Sequence, residues 1–151
     1  MSESGCLFCP MVAALETAET YRSPAGLTSR RVALLPTSVA VIGNDQYYRG
    51  YTLVIARRHA RELYDLPDGE SAAYFQDMLR VARAIDRAFS PRKMNYELLG
   101  NTVEHLHWHL FPRHADDPSP SRPTWEHLHE PALLGDAEYA KTIEAVRRHL
   151  G

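Results

Sequence analysis

The alternation of apolar and polar residues divides the chain into short strands and two long helices. Alternating and β-branched runs predict strands over residues 32–35, 39–42, 51–55, 93–99 and 105–111. Apolar residues at steps of three and four predict an amphipathic helix that begins near Asp68 and ends near Pro91, and a second helix over 136–150. This order of elements predicts an α+β fold, in which an antiparallel sheet of about five strands carries both main helices on one side.

The length and composition agree with one domain that folds around its own core. The 151 residues are 44% hydrophobic and 24% charged, which is ordinary for a globular protein. We therefore predict a single domain over residues 1–151 that includes the C-terminal helix and a surface loop over 112–123, where four prolines fall. Two cysteines are too few for a disulfide scaffold, and a chain of this length needs none.

The charge and hydropathy patterns argue against two classes of partner. Seventeen basic and nineteen acidic residues leave a formal charge of −2, so the chain lacks the basic surface expected of a nucleic-acid-binding protein. No apolar run approaches the roughly 20 residues that span a bilayer, and Met1 to Gly5 lacks the start of a signal peptide. We therefore expect a cytoplasmic protein with neither a membrane nor a nucleic acid as partner.

The candidate chemistry lies in a cluster of histidines. Six of the eight histidines fall between positions 105 and 129. Over 105–111 histidine alternates with apolar residues, so a strand places His105, His107 and His109 on one face and the residues between them on the other. Neighbouring rings on such a face stand about 6.6 to 7 Å apart, close enough to converge either on a phosphate group or on a metal ion.

The residues before the histidines favour phosphate chemistry. Gly100, Asn101 and Thr102 supply a flexible backbone, an amide and a hydroxyl, which bind phosphate oxygens without net positive charge. Glu104 has the opposite strand parity, so no carboxylate joins the histidine face. This weakens the hypothesis of a hydrolase with one metal ion on all three histidines, and it favours a histidine nucleophile that attacks phosphorus.

Four segments together resemble one protein family. The stretch 105–111 resembles the histidine triad motif, in which three histidines alternate with apolar residues, and all seven positions comply. Gly100 to Val103 resembles the segment that usually precedes that motif, Cys6 to Cys9 resembles the family's N-terminal Cys-x-φ-Cys (φ, an apolar residue), and Gly50 to His59 resembles its central strand. The resemblance covers roughly residues 6 to 114, with the motifs in the family's order. The fold it implies is the family's antiparallel sheet with two main helices.

The resemblance implies a nucleotide hydrolase or transferase that acts on a nucleoside 5'-phosphate joined to a leaving group. On the family's pattern, His107 is the nucleophile that attacks the α-phosphorus and forms a covalent nucleotidyl-histidine, which water later releases. His109 hydrogen-bonds the bridging atom and helps the leaving group depart as a general acid.

The resemblance also assigns the residues that bind the substrate. Asn101 and Thr102 are expected to stabilise the non-bridging phosphate oxygens, and Asn95 matches a further polar position near the phosphate. The family's acidic or amide residue that binds the ribose is expected near Gly43 to Asp45, with Asn44 as the choice. Asn101 stands where glutamine is commoner in the family, and Tyr51 stands where many relatives have histidine. Because of these two departures, the resemblance does not indicate which leaving group the protein prefers, although it still implies the same core reaction.

A structural zinc site is the second implication. Cys6 and Cys9 have the spacing of a metal-binding pair, but zinc prefers four ligands and the chain has no second such pair. The resemblance supplies His59 and His105 as the remaining ligands. The zinc would be four-coordinate and would tie the N-terminus to the catalytic strand. The alternative is a pair of reduced cysteines without a metal ion.

The resemblance leaves several activities open. The Leu-Phe-Pro-Arg sequence that ends at Arg113 looks more like the dinucleoside polyphosphate hydrolases than the phosphoramidases, so dinucleoside polyphosphates are the first expected substrates. The alternatives are a nucleotidyltransferase or phosphorylase, a nucleoside phosphoramidase, and a nucleotide-binding module without enzymatic activity. By analogy with the family we expect a homodimer.

Overall fold

A computed structural model describes residues 5–151. The elements in chain order are α1 (Phe8–Leu15), β1 (Thr20–Arg22), β2 (Thr28–Leu34), β3 (Ser38–Ile42), β4 (Thr52–Ala56), α2 (Glu70–Phe89), β5 (Lys93–Glu97), β6 (His107–Arg113) and α3 (Asp136–Arg147). The first four residues of the predicted domain lie outside the described residues, and so does most of the segment from which we predicted that no signal peptide is present.

The strands form one antiparallel sheet in the order β1-β2-β3-β4-β6-β5. The predicted α+β fold is confirmed, with six strands instead of about five. The additional strand, β1, has three residues and pairs with the start of β2 through a tight turn at 23–27. Three residues are too few to show an alternating pattern, so the sequence carries no signal for this strand.

The helices α2 and α3 pack together on one face of the sheet. In α2 the buried positions follow the predicted helical period, and the residues of this stripe include Tyr74, Met78, Val81 and Ile85. The helix ends at Ser90, which adopts the left-handed conformation with φ 48° directly before Pro91. Burial of this stripe against β3, β4 and β6 forms the main core of the protein.

The short helix α1 covers the opposite face of the sheet, whereas the two main helices α2 and α3 lie on one side, as predicted. A second cluster of buried residues joins this helix to the sheet and consists of Met11, Val12, Leu15, Val39, Val41 and Ile55. The physical reason lies in β3, whose five residues are all buried. A strand that is apolar on both faces requires cover on both faces.

Strand β6 extends into the segment predicted as a loop. It begins at His107 and includes Pro112 and Arg113. Pro112 pairs with Met94 at a point where β6 has a neighbour on one side, since pairing with β4 ends at Leu110. Proline is tolerated at such an edge-like position. The predicted surface loop is therefore shorter and follows Arg113.

No helix within residues 5–151 is long and apolar enough to cross a membrane.

Candidate active site

The pairing of β4 with β6 sets the face on which the histidines lie. Ile55 stands opposite His107 and Leu53 opposite His109, whereas Val54 stands opposite Trp108. Cross-strand partners point to the same side of a sheet. His107 and His109 therefore share the face covered in part by α1, and Trp108 packs with the main core under α2. As predicted, His107 and His109 lie on one face of the strand and Trp108 lies on the other.

The ring of His107 is buried and its tautomer is set by the backbone. Its Nδ1 lies 2.6 Å from the backbone oxygen of His105. Because a carbonyl oxygen only accepts, Nδ1 carries the proton and Nε2 presents a lone pair. Burial lowers the pKa of His107, and the bond to the His105 oxygen opposes this shift without cancelling it. Phe8 of α1 packs edge-on against the ring with centroids 4.9 Å apart. The site therefore holds an uncharged imidazole suited to nucleophilic attack.

His109 lies beside His107 with ring centroids 4.7 Å apart. Burial, and next the proximity of His107, lowers the pKa of His109 to about 4. Its Nδ1 lies 2.7 Å from the hydroxyl of Tyr51. At neutral pH His109 is therefore uncharged, and Tyr51 is its side-chain partner. The sequence marked Tyr51 as a departure from the family pattern but did not predict this contact.

Asn101 and Thr102 lie in an exposed bend that leads into His105. The bend follows Gly100, whose φ of 75° belongs to the left-handed region that glycine adopts without strain. Neither side chain makes a hydrogen bond within residues 5–151. Their donors are therefore available to a ligand at the start of β6.

Asn95 and Asn44, unlike Asn101 and Thr102, accept hydrogen bonds from other residues of the protein. Asn95 stands opposite Phe111, and its Oδ1 accepts a hydrogen bond of 2.6 Å from Nη1 of Arg113. Asn44 is half-buried, and its backbone oxygen accepts a hydrogen bond from the hydroxyl of Tyr139. Neither of these two side chains belongs to the cavity beside His109.

That cavity has a volume of about 330 Å³. Its walls are formed by Asp45, Tyr48, Tyr51, Glu97, Leu99, His109, Phe111, Thr124, Trp125 and His129. Glu97 stands opposite His109 on β5, and its carboxylate accepts a hydrogen bond of 2.6 Å from the Thr124 hydroxyl. Burial raises the pKa of Glu97. Sequence reasoning did not assign Glu97 to the site, because its position depends on strand register.

The four predicted metal ligands meet at one point. The ligand atoms of Cys6, Cys9, His59 and His105 all lie within 4.8 Å of one another. Nδ1 of His105 is 3.4 Å from the Cys6 sulfur, 3.6 Å from the Cys9 sulfur and 3.3 Å from Nδ1 of His59. Around a tetrahedral zinc ion, two nitrogens stand about 3.3 Å apart, and a nitrogen and a sulfur about 3.5 Å. The spacing of the cluster thus fits a four-coordinate metal ion.

Backbone contacts bring the ligands of this cluster together. The amide of Leu106 donates to the oxygen of Ala60, and the amide of Ala56 donates to the oxygen of Leu106. These bonds hold the loop that carries His59 against His105. Nε2 of His105 donates to the backbone oxygen of Ala56 at 2.8 Å, so its Nδ1 is left as the ligand atom.

The same geometry argues against one metal ion on all three histidines. Both ring nitrogens of His105 are engaged, one by the Ala56 oxygen and the other by the cysteine cluster. His105 therefore has no nitrogen left for a metal ion shared with His107 and His109. It belongs to the metal cluster, whereas His109 lines the cavity.

The sequence pattern that defines the HIT domain matches residues 27–116, more than half of the chain. The chain belongs to the histidine triad (HIT) family. The predicted family is thereby confirmed. Protein hit from Bacillus subtilis is 29% identical over 116 residues, which are 73% of this chain and 72% of the relative.

Two further relatives carry the names of enzymes. Adenosine 5'-monophosphoramidase hnt1 from Schizosaccharomyces pombe is 31% identical over 72% of this HIT protein and 74% of its own length. Bis(5'-nucleosyl)-tetraphosphatase from the same yeast is 31% identical over 53% of this chain and 47% of its own length. The HIT proteins related to this chain thus include nucleotide-processing enzymes.

Solved structures confirm the HIT fold. A histidine triad protein from Bradyrhizobium japonicum is 29% identical and superposes with a TM-score of 0.74, over 82% of this chain and 91% of its own. A zinc-bound histidine triad family protein from Mycobacterium smegmatis is 22% identical, with a TM-score of 0.67 over 99% and 95% of the two chains. The second likeness concerns the fold alone.

Proposed function

We propose that this HIT protein is a nucleotide hydrolase that cleaves a nucleoside 5'-phosphoryl bond through a covalent nucleotidyl-histidine on His107. The observation that carries the proposal is the hydrogen bond from Nδ1 of His107 to the backbone oxygen of His105, which leaves Nε2 as a lone pair. The low pKa of the buried ring keeps that lone pair free at neutral pH.

The reaction takes place in two steps. Nε2 of His107 attacks the α-phosphorus, and the bond to the bridging atom breaks with its electron pair on the leaving group. Nε2 of His109 hydrogen-bonds the bridging atom, while the side chains of Asn101 and Thr102 donate to the non-bridging oxygens. In the second step water attacks the phosphorus, the bond to His107 breaks with its electron pair on Nε2, and the proton that water loses passes to solvent. Asn95 as a phosphate-binding residue and Asn44 as a ribose-binding residue stay predictions.

Dinucleoside polyphosphates are the proposed substrates. This rests on the resemblance of the segment ending at Arg113 and agrees with the likeness to a bis(5'-nucleosyl)-tetraphosphatase. The likeness to a monophosphoramidase keeps a nucleoside phosphoramidate as the second candidate. A nucleotidyltransferase or phosphorylase would use the same first step, with phosphate in place of water in the second. A nucleotide-binding module without activity would not need the set tautomer of His107.

We also propose that Cys6, Cys9, His59 and His105 hold a zinc ion. The donor set of two thiols and two imidazoles is a common structural zinc site, and its spacing fits a tetrahedral ion. The ion would supply a crosslink between the N-terminal segment, the loop after β4 and the start of β6. No reaction step passes through it, since the ligand atom of His105 faces the cysteines and the nucleophile is Nε2 of His107.

The remaining proposals concern the state of the protein in the cell. On the family resemblance, we propose that residues 1–151 form one HIT domain, that two chains form a homodimer, and that the protein is cytoplasmic. Sedimentation of the purified protein tests the second of these: a species with the mass of one chain at micromolar concentration contradicts it.

A trapping assay tests the function. The purified protein is mixed with diadenosine tetraphosphate or adenosine 5'-phosphoramidate, both labelled in the adenylyl group, and quenched during turnover. The wild type is expected to carry a label that is stable in base and labile in acid, and His107→Ala is expected to carry none. His149→Ala is the matched control, because His149 is an exposed histidine at the C-terminal end. Hydrolysis that proceeds equally well in His107→Ala would show that the proposed mechanism is wrong.

A further inference from the structure

Tyr51 is the residue before β4, and it forms a hydrogen bond with His109. Its hydroxyl lies 2.7 Å from Nδ1 of His109. Its ring stacks on Phe111, with centroids 4.2 Å apart and ring planes inclined by 6°. Among the residues that the structure describes, Nδ1 of His109 is the only hydrogen-bond partner of this hydroxyl. Within the described residues, the phenol therefore forms its single hydrogen bond with this ring nitrogen.

Gly43 makes room for the ring of Tyr51. A Cβ atom at position 43 would lie 2.1 Å from Cδ1 and 2.5 Å from Cε1 of Tyr51, distances at which atoms overlap. The glycine is needed here for space, since its φ is not in the left-handed region. With Gly43 on one side and Phe111 on the other, packing aims the hydroxyl at His109.

The charge states determine which partner donates. Burial raises the pKa of Tyr51, and burial also lowers the pKa of His109 to about 4. Both groups are therefore uncharged at neutral pH. The other titratable groups around them are His107 on β6, Glu97 on β5, and Asp45, Tyr48 and His129 on the cavity wall. A phenol whose one partner is an imidazole nitrogen donates to it, so the single ring proton of His109 resides on Nε2.

We propose that Tyr51 is a positioning residue that selects the leaving group. By donating to Nδ1 of His109, it holds Nε2 of that ring as a neutral hydrogen-bond donor toward the bridging atom. This arrangement favours leaving groups that depart as anions, such as a nucleotide or a polyphosphate, over leaving groups that depart as amines. The inference rests on the proposed attack by His107 and deepens it by naming the class of leaving group.

The need for a proton on the departing atom explains why anionic leaving groups are favoured over amines. When Nε2 of His107 bonds to phosphorus, the electron pair of the broken bond stays on the leaving atom. A phosphate oxygen holds that pair as a stable anion, and the hydrogen bond from Nε2 of His109 is sufficient. An amine nitrogen needs a proton. If Nε2 of His109 supplied it, Nδ1 would have to take the proton of Tyr51, which would leave a buried phenolate near the carboxylate of Glu97.

The test compares two substrates in the wild type and two variants. The values of kcat/KM for diadenosine tetraphosphate and for adenosine 5'-phosphoramidate are measured in wild type, Tyr51→His and Tyr51→Phe. A histidine at position 51 both donates and accepts, so it passes a proton to Nδ1 as Nε2 gives one up. We expect the ratio of the two values, tetraphosphate over phosphoramidate, to fall by about tenfold or more in Tyr51→His.

Tyr51→Phe tests the contribution of the hydroxyl separately from that of the ring. Phenylalanine keeps the stacking on Phe111 and the contact with Gly43 but loses the donor to Nδ1. We expect diadenosine tetraphosphate to react about tenfold more slowly, because the tautomer of His109 is no longer set. Tyr47→Phe is the matched control, since Tyr47 forms a tyrosine–histidine hydrogen bond of 2.9 Å with His127. Its ratio should equal that of the wild type.

A series of adenosine 5'-phosphoryl aryl esters with leaving groups of graded acidity gives a second readout. The wild-type rate should fall steeply as the leaving group becomes more basic, and the slope should be shallower in Tyr51→His. A purely structural role would change all rates without changing the slope. An unchanged ratio and slope in Tyr51→His, or wild-type rates in Tyr51→Phe, would overturn the inference. Failure of the proposed function would instead show as turnover that survives His107→Ala.

Discussion

The imidazoles of His59 and His105 approach each other nitrogen to nitrogen, with Nδ1 atoms 3.3 Å apart. Nε2 of His105 already donates to the Ala56 oxygen, so the Nδ1 of this ring is an acceptor that points at another imidazole and two sulfurs. Four ligand atoms that converge in this way satisfy one another best around a common cation.

Metal analysis of the purified protein should therefore find about one zinc ion per chain. Cys9→Ser should lose most of it, because the oxygen of serine is a poor zinc ligand, while His107→Ala and the exposed control His149→Ala should retain it. Removal of the metal with a chelator should lower the temperature of unfolding, since the ion joins three segments of the chain. Zinc that is lost in His107→Ala but kept in Cys9→Ser would contradict the assignment.

Gly43→Ala should destabilise the protein and slow the reaction together. The new methyl group overlaps the ring of Tyr51, and such overpacking costs about 1 to 3 kcal/mol. In the Tyr51→Ala background the same substitution should cost much less, which a double-mutant cycle of chemical denaturation measures. Gly135→Ala is the control, because a Cβ there would meet its nearest neighbour, a Glu138 oxygen, at an ordinary 3.5 Å. Equal costs in both backgrounds would show that the ring moves aside freely.

Asn101→Ala should reduce kcat/KM by about 10²-fold without changing the unfolding temperature. Its amide is exposed in the bend before His105 and is proposed to donate to a phosphate oxygen in the transition state. Asn101→Gln should retain much of the activity, since it keeps the amide on a side chain one methylene longer. Asn101→Asp should be as impaired as the alanine variant, because a carboxylate repels phosphate. Wild-type kinetics in the alanine variant would remove Asn101 from the site.

Asp117→Asn should destabilise the protein at neutral pH by about 3 kcal/mol. Asp117 and Arg113 form a buried ion pair, and the substitution leaves the guanidinium charge unpaired. Burial raises the pKa of Asp117, but the bonds from Arg113 and from the Ser119 amide outweigh it, so the pKa lies below the usual 3.8. A lowered pKa stabilises the folded state above the unfolded value and ceases to do so as the pH falls through the folded value.

The difference between wild type and Asp117→Asn should accordingly be largest above pH 4 and shrink below it. Urea unfolding at several pH values measures this difference. Asp116→Asn, an exposed neighbour, should match the wild type throughout. A difference that stayed constant down to the lowest pH would mean that the charge of Asp117 does not stabilise the fold.

Periodicity and motifs in the sequence were sufficient to predict much of the fold and of the candidate site. The alternation over 105–111 placed His107 and His109 opposite Trp108, and the period of three and four residues located α2, because these patterns follow from the geometry of one strand or one helix. The motif resemblance identified the family and grouped Cys6, Cys9, His59 and His105 as one predicted metal site.

Tertiary structure decided what depends on register and on contacts between distant segments. Tyr51 meets His109 across 58 positions of sequence. The pairing of Asn95 with Arg113, and the position of α1 on the histidine face, likewise depend on how the strands align and on which face of β3 remains to be covered. Local patterns carry no information on such contacts, because the free energy that forms them comes from the packing of the whole sheet.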